Sequence, residues 1–184
     1  GDTIQALETA KHLEKLHVRV DIKLTNETID YSEYDLIHFF NIIRPGGILR
    51  HIFRTNKPCV VSTIFVDYAE FEKKARTGML RFIFGVFNAD QIEYLKALAR
   101  WFKIGEAPGS FRYLWWGHKK SVRYVIRNSR MLLPNSESEY KRLLVRYGIP
   151  HAYCAIPNAI NRHLFITPGN DLNRDKEMVL CVGR

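Results

Sequence analysis

Asp35-Leu36-Ile37-His38-Phe39-Phe40, then Pro45-Gly46-Gly47 with Ile48, Leu49, Ile52 and Phe53 behind it, then Pro58-Cys59-Val60-Val61-Ser62-Thr63-Ile64-Phe65 is the stretch on which the fold turns. Its first and last runs are short, nearly continuous in apolar residues and bounded by turn formers, the pattern of strands covered on both faces of a sheet. Between them the chain breaks at Pro-Gly-Gly and then spaces its apolar residues helically. Strand, loop, helix, strand is the order of a crossover unit, so the two strands are expected to be central and parallel.

Both flanks continue the alternation. On the amino side, Asp2 or Thr3 can cap a helix carrying Ile4, Leu7, Ala10 and Leu13, with Gln5 placed as in a capping box. Val18, Val20, Ile22 and Leu24 then alternate with Arg19, Asp21 and Lys23, which predicts a strand with one wet face near the sheet edge. On the carboxyl side, Ile92, Leu95, Ala99 and Phe102 trace one helix face behind Asn88 and Asp90, and residues 111–128 suit a second, basic helix. Met131 to Leu133 is a brief strand. Ser136 and Glu139 form a capping box ahead of Tyr140, Leu143, Leu144 and Tyr147, and Gly148 and Pro150 stop that helix. Ala152 to Ile156 and Met178 to Val182 are two further strand candidates, separated by a polar linker around Pro168-Gly169-Asn170. The fold class is therefore α/β: a Rossmann-like, mostly parallel sheet with helices on both faces and its ligands at the carboxyl ends of the strands.

Composition narrows the function classes. With 46% hydrophobic and 26% charged residues in 184, the chain is neither disordered nor collagen-like. No uncharged apolar stretch approaches the roughly 18 residues of a spanning helix, and the polar start does not read as a signal peptide. Cys59, Cys154 and Cys181 lie far apart and suit buried free thiols in a reducing cytoplasm. The formal charge is +9. Of this, +7 comes from Arg100 to Arg130, where eight basic residues face Glu106 alone. One surface is thus basic, which suits anionic lipid, nucleic acid or phosphorylated substrates, or simply a solvated face. There is no GxGxxG, P-loop, HExxH, GxSxG or DxD, and the seven histidines fall into no ligand spacing, so neither a metal nor a resident cofactor is expected.

Several segments together resemble the N-terminal domain of the retaining glycosyltransferases of family 4, which have the two-domain GT-B fold. Gly1-Asp2-Thr3 opening a helix, with Ala10, Leu13 and His17-Val18-Arg19-Val20, looks like that family's glycine loop and first helix. Tyr34-Asp35-Leu36-Ile37-His38 is similar to its D-hydrophobic-hydrophobic-H strand, and Pro58 to Thr63 to the strand that follows. Asn135-Ser136-Glu137-Ser138-Glu139 with Leu143 and Tyr147-Gly148 resembles its SxxE helix. Pro157-Asn158-Ala159-Ile160-Asn161 with Phe165 resembles PNGVD...F, and Leu180 to Arg184 resembles the strand opening the second domain. The resemblance implies one half of a GT-B architecture, with residues 1–165 as the acceptor-side domain and 166–184 as linker and first strand of a second domain. It further implies sugar transfer from a nucleotide-sugar, taken as substrate, to a glycan or lipid-linked acceptor, and an inactive fragment when the second domain is absent. The family commonly places a histidine where Ile64-Phe65-Val66-Asp67 stand here, so no histidine role carries over.

Gly1 and Asp2 are expected to bring backbone N–H groups near a donor phosphate, against terminal disorder as the alternative. Asn41 and Arg44, and after the next strand Asp67 and Tyr68, stand at carboxyl ends where polar side chains can meet sugar hydroxyls. Asp67 is the catalytic candidate, orienting or deprotonating an acceptor hydroxyl, with helix capping ahead of Glu70 as the plain alternative. The family's SxxE segment adds Asn135 and Ser136. Trp115, Trp116, Lys119, Lys120 and Arg123 belong to a basic, aromatic stretch suited to a membrane surface, which places the protein in the cytoplasm or peripherally on the inner face of the membrane. Nucleic acid is the less favoured partner. The alternative to an enzyme is a non-catalytic Rossmann-like module whose basic face binds nucleic acid or anionic lipid.

Overall fold

Residues 2–66, 88–105 and 109–159 are described in a computed structural model. Helix α1 spans Asp2–Glu14, strand β1 Ile37–Phe40, helix α2 Pro45–Ile52 and strand β2 Cys59–Ser62. Helix α3 follows at Ala89–Ile104, α4 at Phe111–Asn128, strand β3 at Met131–Leu133 and α5 at Glu137–Tyr147. The strands form one parallel sheet in the order β1-β2-β3, with Ile37 opposite Cys59 and Val60 opposite Met131. The fold is α/β with a small parallel sheet; among the described residues β2 is its central strand, whereas β1, expected to be central, stands at an edge because no strand forms on its other side.

Alternation along the strands decides what is buried. Phe39, Val61 and Leu132 lie side by side in register and join Ile48 and Leu49 of α2 and Val122, Val125 and Ile126 of α4 in one core. Most of these side chains are fully buried, and burial of each stabilises the fold by about 1.5–3 kcal/mol. The opposite face carries His38, stacked on Phe40, and Ser62, whose hydroxyl lies 2.9 Å from His38 Nε2.

Helix ends follow the capping residues. The Asn88 side chain accepts from Gln91 N while Gln91 reaches back, a complete capping box, and Ser110 and Ser136 cap α4 and α5. Pro45 is the first residue of α2, where its missing N–H is not needed. The glycines behind it serve close approach: a Cβ on Gly109 would stand 2.6 Å from Gly47 N, at a φ of +74° that already favours glycine. Gly109→Ala is therefore expected to lower the unfolding free energy by roughly 2 kcal/mol or more, read from urea denaturation, because both backbones would have to separate.

Two further sequence expectations change. Residues 18–24 form no strand, and Val18, Ile22 and Leu24 are exposed. Alternation gives a strand only where a neighbouring ladder takes its backbone groups, and among the described residues none does. Ala152 to Ile156 runs beside β3, with Leu132 N donating to Ala152 O and Cys154 N to Leu132 O, but forms only one bridge, Leu132 to Tyr153. The strand candidate Met178 to Val182, the linker and the 165/166 boundary lie outside the described residues. No helix among the described residues is long and apolar enough to cross a membrane.

Candidate functional site

Each parallel strand delivers its next residues to the same edge, and there the chain turns unusually. Asn41, directly after β1, has φ +71°, and Ile64, two residues after β2, has φ +43°. Asparagine adopts the left-handed region readily, whereas for a β-branched residue it is strained, at a cost of about 1–3 kcal/mol. The Asn41 carbonyl oxygen of the side chain accepts from Ile43 N at 3.1 Å, which closes the local turn.

Helix α1 meets this edge through side chains. Asn41 Nδ2 donates to Asp2 Oδ2 at 2.9 Å, and Gln5 Nε2 donates to Asn135 Oδ1 at 3.0 Å, just beyond β3. The Asn41 amide, helped by the helix start and by the Arg44 guanidinium, holds the Asp2 carboxyl below its ordinary 3.8 despite partial desolvation. Gln5 thus reaches across to the sheet and does not complete the capping box that its spacing suggests. Of the sequence-derived site residues, Asp2, Asn41 and Asn135 are joined directly or through Gln5. Arg44 is exposed at the start of α2. Ser136 is a helix cap, accepting from Glu139 N at 3.2 Å. Gly1, Asp67 and Tyr68 lie outside the described residues.

Glu139 is the member that sequence reasoning misassigned. Its carboxylate does not turn back to Ser136 N, as a full capping box requires. It is buried, and it accepts from Phe65 N at 2.8 Å, from Asn135 N at 3.0 Å and from the Thr63 hydroxyl. Thr63 and Phe65 bracket Ile64, so one carboxylate holds both sides of the left-handed residue and ties β2 to the loop after β3. The Ser-x-x-Glu spacing signalled a helix cap and did not point to this role of Glu139.

Three amides and one carboxylate line this edge, with a guanidinium beside them. Neutral donors and acceptors in that density suit a polyhydroxylated ligand, and Arg44 suits an anionic group next to it. Elsewhere, an open cleft of about 350 Å³ lies by the amino end of β2, lined by Phe39, Lys57, Cys59, Tyr124 and Asn128. None of the sequence-derived candidates lines it, and burial pushes the Cys59 thiol up, away from reactivity. No cluster of three or more His, Cys, Asp or Glu among the described residues could hold a metal ion.

The basic stretch divides in two. Trp115 is 90% exposed, whereas Trp116 packs between Phe53 and Tyr124 with Lys120 above its ring. Lys119 and Lys120 are exposed and Arg123 is half-buried. Trp116 is therefore part of the packing of α2 on α4, a role that the run of basic and aromatic residues could not reveal. No protein-family model matches this chain, and the searches of curated proteins and of solved structures return no match.

Proposed function

We propose that this chain is the acceptor-side, Rossmann-like domain of a GT-B glycosyltransferase that uses a nucleotide-sugar donor and a glycan or lipid-linked acceptor. The observation that carries the reading is the convergence of Asp2, Gln5, Asn41 and Asn135 at the carboxyl edge of a parallel sheet. The order of segments resembling family 4 supports it independently, and the carboxyl edge is where such sheets bind ligands. Asp2, Gln5, Asn41 and Asn135 contribute hydrogen bonds to sugar hydroxyls, and Arg44 draws the donor phosphate. In the resembled family most donor contacts come from a second domain. Sugar transfer therefore needs that domain as well, since the reacting groups must be held together for the reaction to proceed.

The test is ligand-observed NMR of the 184-residue protein with a panel of nucleotide-sugars and oligosaccharides, next to a turnover assay. Saturation transfer to sugar protons is expected without turnover. The signal should fall at least five-fold in Asn41→Gly, which accepts the left-handed backbone and removes the side-chain amide with its bonds to Asp2 and Ile43 N. Turnover by this chain alone, or sugar signals unchanged in Asn41→Gly, would overturn the assignment. A protein silent to every sugar that binds single-stranded RNA would favour the non-catalytic basic module.

A further inference from the structure

The first turns of α4 present a surface that the fold does not use. Helix α4 is interrupted at Gly117, whose φ of +71° and ψ of +179° are not helical, so residues 111–116 form a separate short segment. Phe111 and Trp115, one helical turn apart, are 88% and 90% exposed. The same segment turns Tyr113 into the core and Arg112 and Trp116 onto Phe53. Packing thus fixes the orientation that directs Phe111 and Trp115 outward. On the adjacent helix α3, Phe102 is 83% exposed and Leu95 42% exposed. Lys103, Lys119 and Lys120 are exposed too, and no carboxylate occurs between Glu106 and Glu137.

We infer that Phe111 and Trp115 insert reversibly into an anionic lipid surface while Lys119 and Lys120 contact its headgroups. Charge complementarity selects the partner, because the α4 segment carries cationic excess with no carboxylate between Glu106 and Glu137 and so suits an acidic surface. Exposed Leu95 on the neighbouring helix, besides the aromatics, favours lipid over nucleic acid, since aliphatic groups gain nothing from stacking on bases but do gain from the headgroup–acyl boundary. Each basic group near an anionic surface strengthens partition about five-fold, and the effect decays within a Debye length. Buried aromatic area is not screened. Salt should therefore weaken attachment without abolishing it. The inference rests on the helix surface alone and stands apart from the reading as a glycosyltransferase.

Flotation of the 184-residue protein with phosphatidylcholine vesicles, with and without phosphatidylserine, across a salt series tests it. The parent is expected to float with the anionic vesicles, with a blue shift of tryptophan emission. Phe111→Ser/Trp115→Ser should lose at least ten-fold in partition, including the salt-resistant part. Lys119→Glu/Lys120→Glu should lose at least as much at low salt and keep its circular dichroism, because both lysines are exposed. No flotation of the parent at low salt, or equal flotation of parent and both variants, overturns the inference. So does single-stranded RNA that displaces the parent from vesicles while the aromatic variant binds that RNA unchanged.

Discussion

Replacing Glu139 by Ala is expected to lower the unfolding free energy by about 3–5 kcal/mol, a large share of the 5–15 kcal/mol typical of a domain. The carboxylate serves Thr63 Oγ1, Phe65 N and Asn135 N, and the residue is buried. Each donor left buried without a partner costs about 1–3 kcal/mol, which outweighs the cost of desolvating the carboxylate that the substitution removes. Part of the loss is returned, since Ile64 can relax from its left-handed conformation once Thr63 and Phe65 are free. Glu139→Gln keeps one acceptor oxygen and turns an amide donor toward the others, so an intermediate loss is expected. Urea denaturation followed by circular dichroism checks both. A loss below 1 kcal/mol in Glu139→Ala would show that water satisfies these donors. On the proposed function, the relaxed Ile64 should also weaken sugar binding in any Glu139 variant that remains folded, because the carboxyl edge then changes shape.

Acid should destabilise the fold well above the carboxylate range. Burial lowers His38 and His118 from 6.5 to about 4 each, with Asp90 and Glu93 pulling His118 upward and Arg146 downward. Above pH 6.5 both imidazoles are neutral, folded or unfolded, and their contribution is fully present. As pH falls toward 4 the unfolded chain takes up protons that the folded protein refuses, so stability is lost across that window. A displacement from 6.5 to about 4 corresponds to roughly 3 kcal/mol for each histidine. His51 is also lowered, chiefly by burial, and adds in the same direction. Its Nε2 donates to Thr25 O at 2.9 Å, and in the neutral ring that burial favours Nδ1 accepts from the Tyr31 hydroxyl at 2.7 Å. Asp2 loses its contribution only as pH falls below its ordinary 3.8, outside this window. Urea midpoints measured from pH 7.5 to 4.5 should fall steeply, and His38→Gln and His118→Gln should each flatten the slope. A stability that is constant over that range would contradict the burial of these rings.

Local signals in the sequence determined much of this protein. Apolar runs at 35–40 and 58–65 gave parallel neighbours, and Ser-x-x-Glu with Gly148 bounded α5, because strand burial and helix caps act through residues a few positions apart. Asn41 and Asp2 were identifiable as candidates since each lies just past a predicted strand or at a helix start, and Asn135 through the segment resembling family 4. Their meeting was not, because Asn41 bonds to Asp2 across 39 positions and Gln5 to Asn135 across 130, and no local pattern records such pairings. Tertiary structure alone decided that Glu139 serves Ile64's neighbours, that Trp116 packs inward while Trp115 points out, and that 18–24 forms no strand. The physical reason is common to all three. A carboxylate, an indole or an alternating strand has several environments open to it, and which one it takes depends on the groups that distant segments bring within hydrogen-bond or van der Waals reach.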